Sequence, residues 1–225
     1  MVDNKGVVCV GRDMDGDSEK SAAAKSDDCG REPQGPGRRW AAQIKMTLDW
    51  AMEPLALAED DRVLELPCGH GEFIERIFNR WPTVEIVGID ESLPRLTQAL
   101  ARNLGSGAYL IQAATGRLPL QAKSLDAAVC TTALHCVSEP ARLLEELYRV
   151  IKPGGILLLM DWCHDYPMQR SRELVRRVAL RPLAGLHSLR GCRGLITQAG
   201  FAVTLAEQAR LSWRWAMMRF LCRRR

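Results

Sequence analysis

Val63-Leu64-Glu65-Leu66-Pro67-Cys68-Gly69-His70-Gly71 is the stretch that decides the reading of this chain. An apolar run carries one acid and enters a tight turn rich in glycine. Phe73, Ile74, Ile77, Phe78 and Trp81 then recur at helical spacing. The pattern predicts a strand–loop–helix junction whose backbone can approach a ligand closely. Gly69 and Gly71 carry no Cβ, so a ligand can lie against the main chain there. The next apolar run, Val84-Glu85-Ile86-Val87-Gly88-Ile89, ends at a second acid, Asp90. An acid at the tip of the second strand suits hydrogen bonding to ribose hydroxyls. Together the two features predict a nucleoside-containing ligand on a doubly wound sheet.

The identity of the nucleoside turns on small residues. The nicotinamide and flavin fingerprint wants a third small residue for close helix–strand packing. Here Ile74 follows the two glycines, which disfavours a nicotinamide oxidoreductase. With Glu65 just ahead of the turn, the segment resembles the first motif of the class I S-adenosylmethionine-dependent methyltransferases, E/D-x-G-x-G-x-G. It departs at Pro67, where that family usually has Gly. The resemblance continues downstream. Gly88-Ile89-Asp90-Glu91-Ser92 looks like the second motif. Leu118-Pro119-Leu120 with Ser124-Leu125-Asp126-Ala127-Ala128-Val129 looks like the approach to the fourth strand of that fold. Ala133-Leu134-His135-Cys136-Val137 looks like the segment after it, and Arg149-Val150-Ile151-Lys152-Pro153-Gly154-Gly155 like the turn into the fifth. The matches cover roughly residues 40 to 165, in register. Asp161-Trp162-Cys163-His164-Asp165 is also similar to segments in methyltransferases that act on quinols, so the type 11, UbiE-like branch is the family indicated.

That resemblance implies a Rossmann-like α/β fold, a mostly parallel sheet closed by an antiparallel C-terminal hairpin. It implies S-adenosylmethionine as cofactor and a small-molecule methyl acceptor, aromatic or quinol-like. For cofactor contact it points to Glu65, Leu66, Pro67, Cys68, Gly69 and Gly71 around the methionyl part. It points to Asp90 on the ribose, to Glu91 near the base, and to Thr131 or Thr132 on the floor. Relatives commonly carry an Asp where this chain has Ala114, so the backbone of Ala114 or Thr115 would have to make that contact. His135, after the fourth of those strands, is the candidate catalytic base, because an imidazole titrates near neutrality. The alternative for His135 is a hydrogen-bonded structural role. His187 reads as a surface residue.

The rest of the chain fits one domain with a tail. At 225 residues and 47% hydrophobic content, a substantial core is expected. Residues 1–37 are polar and end in Pro33-Gln34-Gly35-Pro36-Gly37, which predicts a disordered tail before a domain over 38–225. Trp40, Ile44, Leu48, Ala51 and Leu55 predict an N-terminal helix. Strands are expected at 62–66, 84–89, 108–112, 126–131 and 156–161. Helices are expected near 71–80, 93–104, 139–151, 168–181 and 189–198. Alternation of Phe201, Val203 and Leu205, then of Leu211, Trp213, Trp215 and Met217, predicts a hairpin linked through 206–210.

Eight cysteines are scattered without a C-x-x-C pair, and no metal-ligand spacing stands out, so no metal is expected. No apolar run reaches the roughly 20 residues that span a bilayer. With no leader pattern, the reducing cytoplasm is the simplest compartment. Charge is uneven: residues 162–225 hold 13 Arg and 3 acids within a chain of net +4. A basic C-terminal region could touch anionic lipid peripherally or bind nucleic acid. That keeps a tRNA or other nucleic-acid methyltransferase as an alternative, although no aromatic stacking motif is visible. A catalytically inactive binding protein of the same fold is the other alternative, motivated by Pro67 and Ala114.

Overall fold

A computed structural model describes residues 7–9, 38–163, 165, 187–212 and 215–225. The chain runs β1 (Val7–Cys9), α1 (Arg38–Met52), β2 (Arg62–Leu66), α2 (Glu72–Arg80), β3 (Glu85–Asp90), α3 (Leu93–Leu100) and β4 (Ala108–Gln112). It continues β5 (Leu125–Thr131), α4 (Pro140–Val150), β6 (Ile151–Trp162), α5 (Leu189–Gln198), β7 (Phe201–Ser212) and β8 (Trp215–Arg224). Among the described residues one sheet contains every strand, in the order β1-β4-β3-β2-β5-β6-β8-β7. Neighbours are parallel from β1 to β6, and β8 runs antiparallel to both β6 and β7.

Strand parity sorts the core into two layers. Side chains of β2 alternate, so Val63 packs with α1, α2 and α3 while Leu64 and Leu66 pack with α4 and α5. The same parity holds in β5 and β6: Ala127, Val129, Leu158 and Met160 share the first layer, and Ala128, Cys130, Leu157 and Leu159 the second. Helix α2 presents Phe73, Ile74 and Ile77 to the sheet, and α4 presents Leu143, Leu144, Leu147 and Val150. These are the apolar stripes expected of helices that cover a sheet on one side.

Glycine at position 88 accounts for the missing third small residue of the turn. A Cβ at Gly88 would lie 2.9 Å from Ile74 Cδ1, 2.7 Å from Leu110 Cδ2 and 3.0 Å from Cys68 Sγ. The space that lets α2 approach the sheet is therefore taken out of β3 rather than out of the helix.

Three expectations need correction. Residues 7–9, placed in a disordered tail, form β1 and pair in parallel with β4 through Val7↔Leu110 and Cys9↔Gln112. The remainder of 1–37 lies outside the described residues. The hairpin is present, but 206–210 is strand rather than link: Ala206 faces Phe220 and Arg210 faces Ala216. The misplaced residues belong to β7, the edge strand of the sheet, where Glu207, Gln208 and Arg210 make a polar stretch that reads as a link; β8 beside it is interior. An interior strand buried on both faces reads as a continuous apolar run rather than an alternation, and Ala216, Met217, Met218, Phe220 and Cys222 are all buried. Finally, β6 begins at Ile151, pairing with Leu125 before an irregularity and the regular register from Ala127↔Ile156. The helix expected at 168–181 lies outside the described residues. Among the described residues, no helix is long and apolar enough to cross a membrane.

The basic C-terminal region is partly consumed by structure. Arg219, 6% exposed, contacts Glu207 at 2.6 Å and Glu53 at 2.9 Å, donates to the carbonyl of Trp50, and stacks 4.5 Å over the Trp50 ring. It thereby docks α1 against β7 and β8. Arg224 lies 4.4 Å over Tyr148 and donates to the carbonyl of Ile151, and Arg223 donates to the carbonyl of Gly154.

Candidate active site

A cavity of about 300 Å³ opens where β2, β3 and β5 end. Chain order reverses across β2, which has β3 on one side and β5 on the other. Ligands of open α/β sheets bind at such switch points, outside the carboxyl ends of the strands. The volume lies at the small end of the range for small-molecule sites.

The turn after β2 builds one wall. Cys68 donates its N–H to the carbonyl of Ile89 at 2.9 Å, tying the turn to β3, and Gly71 N–H closes back on Cys68 O at 2.9 Å. Pro67 lines the cavity, follows a cis peptide bond, and stands beside a turn whose inner hydrogen bonds use other N–H groups. Gly69 (φ 51°) and Gly71 (φ 77°) both occupy the left-handed region. A Cβ on Gly69 would meet nothing within 4 Å, so the turn leaves a vacant cradle against the backbone. A Cβ on Gly71 would lie 3.1 Å from Ala99 Cβ and 3.0 Å from Leu104 Cδ1, so that glycine serves the packing of α3.

Asp90, 2% exposed, ends β3 and braces this turn. Its Oδ2 accepts the N–H of Gly69 at 2.9 Å and its Oδ1 the N–H of Ser92 at 2.8 Å. Arg95 Nη1 stands 3.8 Å from Oδ1. Each carboxylate oxygen keeps a further lone pair for a ligand hydroxyl. Next along the wall, Glu91 Oε1 accepts the N–H of Thr115 at 3.1 Å. The floor comes from the end of β5, where Thr131 and Thr132 line the cavity; Thr132 holds φ 54° and donates its N–H to Met160 O at 2.7 Å.

Glu65 is 2% exposed, lines the cavity, and its Oε2 has no hydrogen-bond partner among the described residues. Burial pushes its carboxyl well above the ordinary carboxylate range, with Asp90 and Glu72 adding repulsion against a lowering bond from the backbone of Ile74. Burial, and then the Glu65 carboxylate, also pushes the Cys68 thiol up, which makes it a packing group rather than a nucleophile.

Of the expected site residues, Glu65, Pro67, Cys68, Gly69, Asp90, Glu91, Thr115 and Thr131 are brought together around the cavity. Four are not. Leu66 is fully buried in the opposite core layer, because strand alternation turns it away from Glu65. Gly71 lies behind the turn. Ala114 is exposed on the outside of the loop. His135 is 7% exposed and does not line the cavity. Its Nδ1 lies 2.6 Å from Asp161 Oδ1 and its own N–H donates to Asp161 Oδ2 at 3.1 Å. Parity explains the loss: Asp161 shares the strand face of Leu157 and Leu159, beneath α4 and α5, and it draws the imidazole to that side. The carboxylate thus fixes the ring, and Nε2 lies 3.1 Å from Sγ of Cys136, a residue that lines the cavity. His187 also differs from expectation, being only partly exposed, with a buried Nε2 that has no hydrogen-bond partner among the described residues. His164 lies outside the described residues. Residues that sequence reasoning passed over include Leu48 of α1, Phe73, Val137 and Arg142. Leu48 and Phe73 had a signal, since both belong to recognised helical stripes, but core and cavity positions share that signal.

The methyltransferase-domain family matches residues 64–159, the span from β2 to β6 that builds these walls. The fold is that of the class I methyltransferases. A ubiquinone/menaquinone biosynthesis C-methyltransferase from Syntrophotalea carbinolica is 34% identical over 130 residues, 57% of this chain and 52% of that relative. A trans-aconitate 2-methyltransferase from Variovorax paradoxus is 33% identical over 123 residues, 55% of this chain and 46% of its own length. The chain thus spans about half the length of these curated relatives. The fold is also that of a candidate methyltransferase solved in complex with the Haloferax volcanii Trm112 methyltransferase activator, with TM-score 0.71, 16% identity, and coverage of 82% of this chain and 94% of that one. The cofactor of the methyltransferase domain is S-adenosylmethionine. The residues present fit it: a buried acceptor without a donor, a cradle free of Cβ atoms, and walls that carry five carboxylates against two guanidiniums suit a ligand bearing an ammonium and a sulfonium.

Proposed function

We propose that this chain transfers the methyl group of S-adenosylmethionine to a small-molecule acceptor with an aromatic or quinol-like ring, in the cytoplasm. The observation that carries the reading is Glu65, a buried carboxyl with an unpartnered oxygen on the wall of a cavity at the switch point. S-adenosylmethionine supplies a methyl group on a sulfonium, which is already a good leaving group, so the protein's task is positioning. Glu65 takes the ammonium of the methionyl part. The Gly69 backbone gives it room, and Asp90 accepts the ribose hydroxyls. Thr131 and Thr132 hold the reacting end. Leu48 and Phe73 supply apolar wall for a ring. With His135 turned to Asp161, the acceptor proton leaves without that imidazole, which favours acceptors acidic in their own right, such as phenols and quinols. The quinone-biosynthesis relative supports the ring; the trans-aconitate relative marks how far acceptors vary among similar chains. A nucleic-acid acceptor gains little, because Arg219, Arg223 and Arg224 already serve internal contacts.

Calorimetric titration with S-adenosylmethionine tests the cofactor reading. Saturable binding is expected, with Asp90→Ala weakening it about a hundredfold, as two charge-assisted bonds require. Absence of binding at millimolar cofactor would sink the enzyme reading in favour of a binding protein. A methyl-transfer screen then starts from phenols and quinols; turnover confined to RNA, with a steep salt dependence, would replace the acceptor class.

A further inference from the structure

We propose that Cys136 is a redox-active site of the cavity wall, where the Asp161–His135 pair readies its sulfur for exchange with small thiols and disulfides that enter through the cavity. Three side chains stand in line. Asp161 is 1% exposed, and its Oδ1 lies 2.6 Å from Nδ1 of the buried His135. The other ring nitrogen, Nε2, lies 3.1 Å from Cys136 Sγ. Cys136 lines the cavity between Ala133 and Val137, and its N–H closes a turn on the carbonyl of Ala133 at 2.9 Å. Neighbouring side chains on a strand point apart; this turn brings those of His135 and Cys136 together.

A nucleophile within reach of a base, with the base oriented by a third group, is the arrangement that activates a nucleophile. With Nδ1–H given to Asp161, the lone pair of the neutral ring sits on Nε2, toward the sulfur. Nε2 then takes the thiol proton, and the imidazolium so formed stabilises the thiolate. Redox chemistry is already present at this sulfur. Cys136 is disulfide-bonded, whereas Cys68, Cys130, Cys163, Cys192 and Cys222 are buried and free. Burial pushes the thiols of those five up, that of Cys163 to about 11 and that of Cys222 to about 12, which leaves them inert. In the cytoplasm proposed above, a disulfide is as a rule transient, catalytic or redox-sensing.

Exchange proceeds by single displacements. A small thiolate attacks the sulfur joined to Cys136 and forms a new S–S bond with it. The old bond breaks, its electron pair stays on Cys136 Sγ, and the proton of the small thiol goes to His135 Nε2. In the opposite direction the Cys136 thiolate attacks a small disulfide, and the departing thiolate takes up that proton.

The test is alkylation of the reduced full chain with iodoacetamide at about pH 6, below the titration of an ordinary thiol, read at each cysteine by mass spectrometry. Cys136 should react about tenfold faster than the cysteine of a short unstructured peptide. His135→Gln should bring it down to the peptide's rate, and Asp161→Asn should slow it several-fold. The ultraviolet absorbance of the thiolate should fall in step, a readout that a packing role for His135 would leave unmoved. Thermal scans identify a variant that does not fold, and the other variant then decides. Oxidised glutathione should return Cys136 to a disulfide, and dithiothreitol should open it again. A reduced Cys136 that reacts at the peptide's rate, or folded variants that keep the wild-type rate, overturn the proposal. Saturating S-adenosylhomocysteine should shield Cys136 from the reagent, and this arm alone rests on the cofactor reading above. A protein that exchanges rapidly without binding that compound keeps the redox site and loses the cofactor reading. Binding without shielding overturns entry through the cavity.

Discussion

Two turns leave the same edge of the sheet, one after β2 and one after β5, and each sets a residue of left-handed backbone against the cavity. After β2 that residue is Gly69, at φ 51°; after β5 it is Thr132, at φ 54°. Glycine adopts this region freely, whereas a β-branched residue is strained there. The chain uses glycine where a side chain would occupy ligand space, since a Cβ at Gly69 projects into a void. It keeps threonine where the wall itself needs a side chain, and it holds the strained backbone by the Thr132 N–H to Met160 O bond. Positive φ alone therefore does not say what a residue is for; what its Cβ would meet does.

The sharpest way to break the comparison is a matched pair of alanines. Gly69→Ala puts a methyl group in the cradle, and its folding cost is limited to the left-handed backbone, about 1–2 kcal/mol. Its cofactor affinity should fall by about tenfold or more, because the main chain no longer meets the ligand directly. Gly71→Ala adds a Cβ 3.0–3.1 Å from Leu104 and Ala99, so overpacking joins the backbone cost for a total of about 2–4 kcal/mol. Denaturant melts paired with calorimetry separate the two. Equal affinity losses in both variants, or unimpaired binding by Gly69→Ala, would show that the cradle is not ligand space.

Glu65, at the end of β2 just ahead of the first turn, sharpens the same contrast from the electrostatic side, because its Oε2 is a buried atom without a hydrogen-bond partner among the described residues. Its folded-state pKa lies well above the ordinary 4.5. Below about pH 4.5 the carboxyl is protonated in both folded and unfolded chains and costs nothing. Above that value the unfolded chain releases its proton while the folded one holds it, so the stability of the free protein declines as pH rises toward the folded pKa. Glu65→Gln removes the decline. Its melting temperature should exceed that of the wild type at pH 8, with the gap closing toward pH 4. Cofactor binding should draw the Glu65 carboxyl back toward its ordinary range, so in the pH window between the ordinary and the raised pKa the wild type should release a proton on binding, read as a buffer-dependent calorimetric heat, and the Gln variant should not. Parallel melting curves for the two proteins across that range would remove Glu65 from the account.

Legibility followed burial and punctuation. β2 and β4 stand where they were expected, because each is a short apolar run between polar or glycine-bearing turns, and α5 is bounded by Ser188 and Gly200. The hairpin link was misplaced because 206–210 lies in the edge strand β7, whose Glu207, Gln208 and Arg210 look like loop residues, while β8 is buried on both faces and so loses the alternation that marks strand ends. The cavity walls from Glu65 to Asp90 were readable because chemistry there is tied to glycine spacing and strand tips. The place of His135 was not readable. One residue beyond a strand end, a side chain can turn to either face, and the partner that decides, Asp161, is 26 residues away on another strand. Ala114 and Leu66 failed for the same reason, since motif alignment assigns positions but does not fix the direction of a side chain.

The smallest effect expected concerns Thr132. Asparagine tolerates the left-handed region better than a β-branched residue does, so Thr132→Asn should relieve backbone strain and raise stability by about 0.5–1 kcal/mol. The N–H to Met160 bond survives the change, because it belongs to the main chain. The relief has a functional counterpart. The asparagine side chain is longer and less branched at Cβ, so the floor beneath the reacting end loses its fixed shape, and methyl transfer should slow several-fold while cofactor affinity changes little. Measuring kcat beside the calorimetric Kd separates positioning from binding. If Thr132→Asn destabilises the fold and leaves turnover untouched, the left-handed threonine is a packing solution, and the two turns differ in sequence without differing in purpose.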